Sequence, residues 1–178
     1  MRTDRLAREF PVEFRWYVFP LHPETPEEGM ELTDLLKIPA EQLAPMQARV
    51  REVAAAEGLP LAERSRTYNS RRAQELGKWA ETRGVGDAWR QAVYRAFFVE
   101  GRNIALVEEL ARLAVEVGLD GEAVKAVLAQ ERFAAAVDAD WQRAEEAGIS
   151  AVPSHICEGT RLVGFAKYQD FLRLIGRG

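Results

Sequence analysis

The groups able to carry nucleophilic or metal chemistry are few, and two of them sit together. The chain has one cysteine, Cys157, and two histidines, His22 and His155. His155 and Cys157 are two residues apart, so on a strand they share a face. A His–Cys pair is one route to a reactive thiolate. The competing reading of Cys157 is a small buried hydrophobe, and it is preferred because free cysteine is among the most buried residue types. A lone cysteine forms no intramolecular disulfide, no Cys-x-x-Cys redox pair and no cysteine-based zinc cage. With two histidines and no suggestive carboxylate spacing, no metal site is expected. His155 is expected to pack with its ring hydrogen-bonded in the core, because unpaired polar groups rarely survive burial. His22 falls in a loop and is expected in solvent.

Length and composition bound what these residues can serve. At roughly 150 residues per domain, 178 residues make one domain with room for an insertion. The apolar share of 47% excludes a disordered chain. The formal charge is −4, from 24 basic and 28 acidic residues. No basic cluster offers phosphates a footprint, which argues against nucleic acid. No apolar run reaches the ~18 residues of a membrane span. The opening residues, Met1 to Phe10, carry charges where a signal peptide needs apolar side chains, so the expected compartment is the cytoplasm.

The elements that must position these residues follow from periodicity. Leu6 and Phe10 are spaced as on a helix, which Pro11 stops. Val12 to Phe19 alternates, with Val12, Phe14, Trp16 and Val18 on one face, and is predicted as a strand. Leu21 to Gly29 is a proline-punctuated loop. From Leu32 to about Ala147 the pattern is helical, with a helix from Pro39 to Glu57, an extended linker over 59–69, and helices near 71–83, 87–100, 104–117, 121–130 and 132–147. Gly58, Gly84, Gly101, Gly118 and Gly148 lie where helices need C-terminal caps. Asn103 and Asp120 are N-cap candidates, as is Asn69 before Ser70. Leu106, Leu110, Leu113 and Val117 form a buried stripe. Trp79, Trp89, Phe97, Phe98 and Trp141 are expected mainly in the core of the helical block. Arg71-Arg72 and Glu145-Glu146 are read as solvated faces. Ser154 to Glu158 and Arg161 to Phe165 form a hairpin about a turn at Gly159-Thr160, and a helix with Tyr168, Phe171, Leu172 and Ile175 closes the chain. A single leading strand must join that hairpin in one sheet, with helices over it.

This order, with its motifs, resembles the DsbA-like thioredoxin-fold family, in particular its FrnE branch, related to 2-hydroxychromene-2-carboxylate isomerases and kappa-class glutathione transferases. The resemblance rests on Val12–Phe19 followed by Pro20-Leu21-His22-Pro23 and Gly29; on Asn69-Ser70 with Ala73, Leu76 and Trp79-Ala80; on Tyr94 to Gly101; on Gly148 to Ser154; and on Gly159 and Gly164. Gln74 and His155 depart from the family's habits. The implied fold class is α/β, a thioredoxin-like sheet with an inserted all-helical domain, the first strand and the CxxC turn missing from this chain. The implied domains are 1–30 with 149–178, thioredoxin-like and incomplete, and 31–148, helical. The resemblance further implies a cis Pro153, with Val152, Pro153, Ser154 and His155 as the substrate groove and the Val152 backbone aligning a peptide. The bland alternative is a trans proline opening an edge strand.

The family places Cys-x-x-Cys at the start of its first helix, where the helix N-terminus lowers a thiol's pKa. Residues 2–9 look like the later part of that helix. Without the first strand, the 12–19 and 154–158 strands would face each other across a gap, each buried unpaired group costing about 1–3 kcal/mol. One expectation is that the natural protein starts roughly 15–20 residues upstream. The others are a true truncation, with the gap filled by a partner, a homodimer through the unpaired edge or domain exchange, and a rearranged sheet. The expected function is that of a FrnE-type thiol–disulfide oxidoreductase family member acting on a protein or peptide thiol or disulfide. No catalytic residue, no cofactor and no dithiol exchange are expected of this chain as it stands. The alternatives are a glutathione-dependent isomerase or transferase, which would take glutathione, and a non-catalytic peptide- or protein-binding module.

Overall fold

The computed structural model describes residues 2–177. Its elements are α1 (Arg2–Glu9), β1 (Met30–Glu31), α2 (Leu32–Leu36), α3 (Ala40–Ala56), β2 (Arg66–Thr67), α4 (Arg71–Thr82), α5 (Gly86–Phe98), α6 (Val107–Glu116), α7 (Gly121–Ala129), α8 (Ala134–Glu146), β3 (Ser154–Cys157), β4 (Thr160–Val163) and α9 (Tyr168–Leu174). The chain divides into two compact units: one runs up to Leu21 and resumes at Asp138, the other covers His22–Val137. The helical unit is therefore an insertion in the chain order of the first.

The helical unit builds its core from α4 to α7. Leu76, Leu110, Leu113 and Val124 are completely buried there, with Trp79 and Trp89 beside them. Trp89 keeps its indole N–H satisfied by donating to the Ala73 carbonyl at 3.0 Å, as a buried indole requires. The glycines at 58, 84, 118 and 148 all take positive φ just past helix ends, closing α3, α4, α6 and α8 in the left-handed conformation. Asp120 caps α7 by accepting from the Glu122 N–H, and Asn69 accepts from the Arg71 N–H at 2.8 Å.

Several sequence expectations need correction here. Asn103 does not start a helix: α6 begins at Val107, and Asn103 instead accepts from the Ala105 N–H and donates to the Glu27 carbonyl. Leu106 consequently leaves the buried stripe and is 39% exposed. The 59–69 linker holds β2, paired antiparallel with β1 through Met30↔Thr67 and Glu31↔Arg66. Arg71 and Arg72 are clamps rather than a solvated face. Arg71 pairs with the buried Glu75 at 2.7 Å and donates to the Ala134 carbonyl, while Arg72 bonds Glu27 and the Ala105 carbonyl.

The other unit is smaller. Leu6, Ala166 and Phe171 are its buried apolar nucleus, with Phe10, Val12, Phe14, Tyr168, Leu172 and Ile175 packed around them. Its hairpin has the register Ser154↔Val163, His155↔Leu162, Ile156↔Arg161 and Cys157↔Thr160. The turn therefore falls at Glu158-Gly159, one residue earlier than the sequence suggests. Both turn residues have positive φ, 47° and 81°, the signature of the type I′ turn that matches strand twist.

The expected strand over Val12–Phe19 does not form. The segment keeps its alternation only in part: Val12, Phe14 and Val18 are partly buried and Glu13, Arg15 and Tyr17 exposed, but Trp16, expected on the buried face, is 47% exposed. It joins no ladder, and the described strands make two separate two-stranded sheets, β1-β2 and β3-β4. The single sheet expected of this segment and the hairpin is absent. Alternation reports which side chains are buried, whereas a strand also needs a neighbour offering main-chain partners at ~4.8 Å. One amide of the segment is served otherwise: the Val18 N–H donates to Oδ2 of Asp140, 7% exposed on α8, at 3.0 Å.

Candidate functional site

The segment 151–155 leads from α8 into β3. The Val152–Pro153 peptide bond is cis. The Pro153 carbonyl accepts from the Gly164 N–H at 2.8 Å, and the Ser154 hydroxyl donates to the Ala151 carbonyl at 2.7 Å. These two bonds tie both ends of the turn to the hairpin and to itself. Val152 stays outside the network: its N–H and carbonyl bond to none of the described residues, and its side chain is 44% exposed. Ile156, Val163 and Phe165 are also exposed apolar groups, at 52%, 50% and 61%. On the hairpin, Ser154, Ile156, Arg161 and Val163 form one face and His155, Cys157, Thr160 and Leu162 the other.

His155 turns its ring edge to Phe171, centroids 4.8 Å apart at 80°. Burial pushes its imidazole below the ordinary histidine range, because the charged form loses solvation. Its Nδ1 is buried without a hydrogen-bond partner among the described residues. The ring is packed, as the preferred reading held, but it lacks the hydrogen bond that reading supplied. Cys157 is a free, half-buried thiol. It lies on the same hairpin face as His155, yet no hydrogen bond joins the two among the described residues. Cys157 sits within β3 and not at the start of a helix. His22 is exposed. No group of three or more His, Cys, Asp or Glu among the described residues could hold a metal. None of the described helices is long and apolar enough to cross a membrane.

A cavity of about 710 Å³ in the same unit was not legible in the sequence. Phe19 and Pro20 form one side, and Trp141, Glu145 and Ile149 the other. Trp141 is thus a wall residue, unlike Trp79 and Trp89, which are core. The pairing of residue 19 with residue 141 is long-range and leaves no local pattern.

With the geometry in view, comparison with known proteins places the chain. The DSBA-like thioredoxin domain family matches residues 1–176, and the chain belongs to that family. YwbO of Bacillus subtilis, itself uncharacterized, is 35% identical over 98 residues, 54% of this chain and 49% of YwbO. The match thus spans about half the length of that curated relative. Among solved structures, a probable DsbA oxidoreductase from Streptomyces coelicolor is similar with a TM-score of 0.87 and 28% identity, over 99% of this chain and 83% of that one. A 2-hydroxychromene-2-carboxylate isomerase gives 0.73 at 19% identity, over 98% and 84%, a likeness of fold alone. The fold is accordingly the helix-rich DsbA-like thioredoxin fold, α/β with a helical insertion.

Proposed function

We propose that this chain serves a FrnE-type, DsbA-like thiol–disulfide oxidoreductase as its peptide-receiving part, with Val152, Pro153, Ser154 and His155 as the groove. The observation that carries this is the unspent main chain of Val152 beside exposed Val152, Val163 and Phe165. An extended peptide recognised by main-chain hydrogen bonds needs such a donor and acceptor, with apolar surface next to them for its side chains. The dithiol half of the chemistry lies outside what this chain can do. Exchange requires a thiolate to attack a substrate disulfide and a second thiol to resolve the mixed disulfide, and the chain has one cysteine. A single free thiol also suits a reducing compartment such as the cytoplasm.

Titration of the 15N-labelled chain with an extended apolar peptide tests the reading. Shifts are expected at Val152, Ser154 and His155, with binding weakened about fivefold or more in Val152→Asp, which puts a charge where apolar contact is made. Shifts spread elsewhere, or binding unchanged by Val152→Asp, would sink it. Insulin reduction by this chain is expected at background, and activity above background overturns the statement about its chemistry. Saturable binding of glutathione alone at the same residues would favour the isomerase or transferase alternative. Light scattering separates peptide capture from a homodimer formed along the open edge of β3.

A further inference from the structure

A second cavity, of about 190 Å³, lies wholly within the helical unit. Its walls include Glu63, Arg64, Ser65, Arg66, Tyr68 and Phe97. The main chain here is held at several points. Gln47 of α3 grips Arg64 from both sides, donating to its carbonyl at 2.5 Å and accepting from its N–H at 3.0 Å. The β1–β2 pair fixes Arg66 and Thr67. The Tyr68 ring lies directly over Gly29, where a Cβ would stand 2.5 Å from it.

The charges around the cavity do not balance. Arg66 is neutralised by Glu31 at 2.6 Å and also donates to the Gly29 carbonyl. Glu63 is paired with Arg51 at 3.4 Å. Arg64 has no carboxylate partner among the described residues. Its guanidinium lies over the rings of Phe97 and Phe98, 4.3 and 4.8 Å from their centroids, and reaches one carbonyl, that of Arg66, at 3.5 Å. Aromatic rings answer the faces of a guanidinium but leave the in-plane N–H donors, which number five, in need of acceptors. Burial disfavours the charged form of Arg64, in keeping with a cation short of counter-charge. The hydroxyls of Ser65 and Tyr68 also bond to none of the described residues. Unspent planar donors, two hydroxyls and an aromatic wall together match an oxyanion, which a guanidinium takes bidentately.

We infer that this cavity binds a small oxyanion, a carboxylate or phosphate group on a compact body, through Arg64. Its volume is below the ~300–1,000 Å³ of drug-sized sites, so the ligand is one head group with little attached. The inference is independent of the peptide groove. The competing explanation is that Arg64 merely covers the two phenylalanine rings.

The experiment is an NMR titration of the intact 15N-labelled chain with inorganic phosphate and, separately, with benzoate, using chloride as the ionic-strength control. Saturable shifts are expected at the Arg64 Nε–H and at the Ser65, Arg66 and Tyr68 amides with at least one of the two anions at millimolar concentration. The anion that saturates first names the source. Arg64→Met keeps the apolar stem on the rings and should weaken binding about tenfold or more, with Arg64→Lys in between. Absence of saturable shifts with both anions overturns the inference, as does equal binding by a folded Arg64→Met. Should Arg64→Met not fold, the unsubstituted chain decides alone. Shifts confined to 152–155 would overturn this site and leave the peptide groove untouched.

Discussion

At Gly29 the chain turns with φ +85°, and a Cβ would meet the Tyr68 ring at 2.5 Å; at Gly58 φ is +70° and the space is open. The pair separates two costs of adding one carbon. Gly58→Ala meets only the left-handed backbone penalty, about 1 kcal/mol, whereas Gly29→Ala adds overpacking and should cost about 3 kcal/mol. Urea midpoints at constant m-value check both, and equal losses would refute the packing account. His155 makes a pH argument of the same kind. Its folded pKa lies below the unfolded value near 6.5, through burial. As pH falls through ~6.5, the unfolded state takes up the proton before the folded state does, so stability falls with pH and levels off below the folded pKa. His155→Phe removes that part of the slope, and the difference in stability between pH 7.5 and pH 5 should be smaller in the variant than in the parent. An unchanged slope would mean that the ring titrates freely. Residues whose role is local were readable in advance: Asp120 and Asn69 cap within two positions of themselves. The contacts of Arg64 with the Phe97 and Phe98 rings, of Arg71 with the Ala134 carbonyl and of Arg72 with Glu27 were not, because they join residues more than 30 positions apart.

Helices and strands differed in how far the sequence disclosed them. A helix closes its hydrogen bonds within itself, so period, caps and C-terminal glycines place α4, α7 and the end of α8 to within a few residues. A strand borrows its partners. The hairpin was legible because its neighbour is two residues away, whereas the 12–19 segment alternates in sequence as a strand does and lacks the ladder. The short β1–β2 pair carries no alternation to read at two residues each. Hydrogen exchange probes the distinction. The amides of Glu13, Phe14 and Arg15 should exchange far faster than that of Val18, whose N–H is held by Asp140. Asp140→Ala should release Val18 and leave the other three unchanged. Uniform protection across 13–18 would show a ladder in solution.

Over the whole molecule, stability is unevenly distributed. Among the described residues, the helical unit buries thirteen apolar residues in one cluster, including two tryptophans, while the other unit buries three, Leu6, Ala166 and Phe171. Each fully buried large apolar side chain contributes about 1.5–3 kcal/mol relative to exposure, and eight of the thirteen are larger than alanine against two of the three. The DsbA-like fold was recognisable because motif order survives along the chain, and this imbalance was not, because burial depends on what packs against each face. Local opening draws on regions with few buried contacts. In rising urea, segments 154–163 and 168–174 should therefore lose exchange protection at a lower concentration than α4 to α7. Leu6→Ala, which empties a site 2% exposed, should widen the interval, since the cavity it leaves costs about 2–5 kcal/mol in the weaker unit alone. Coincident loss of protection in both units, with Leu6→Ala shifting them together, would instead make the chain a single cooperative unit whose small core is stabilised by the large one.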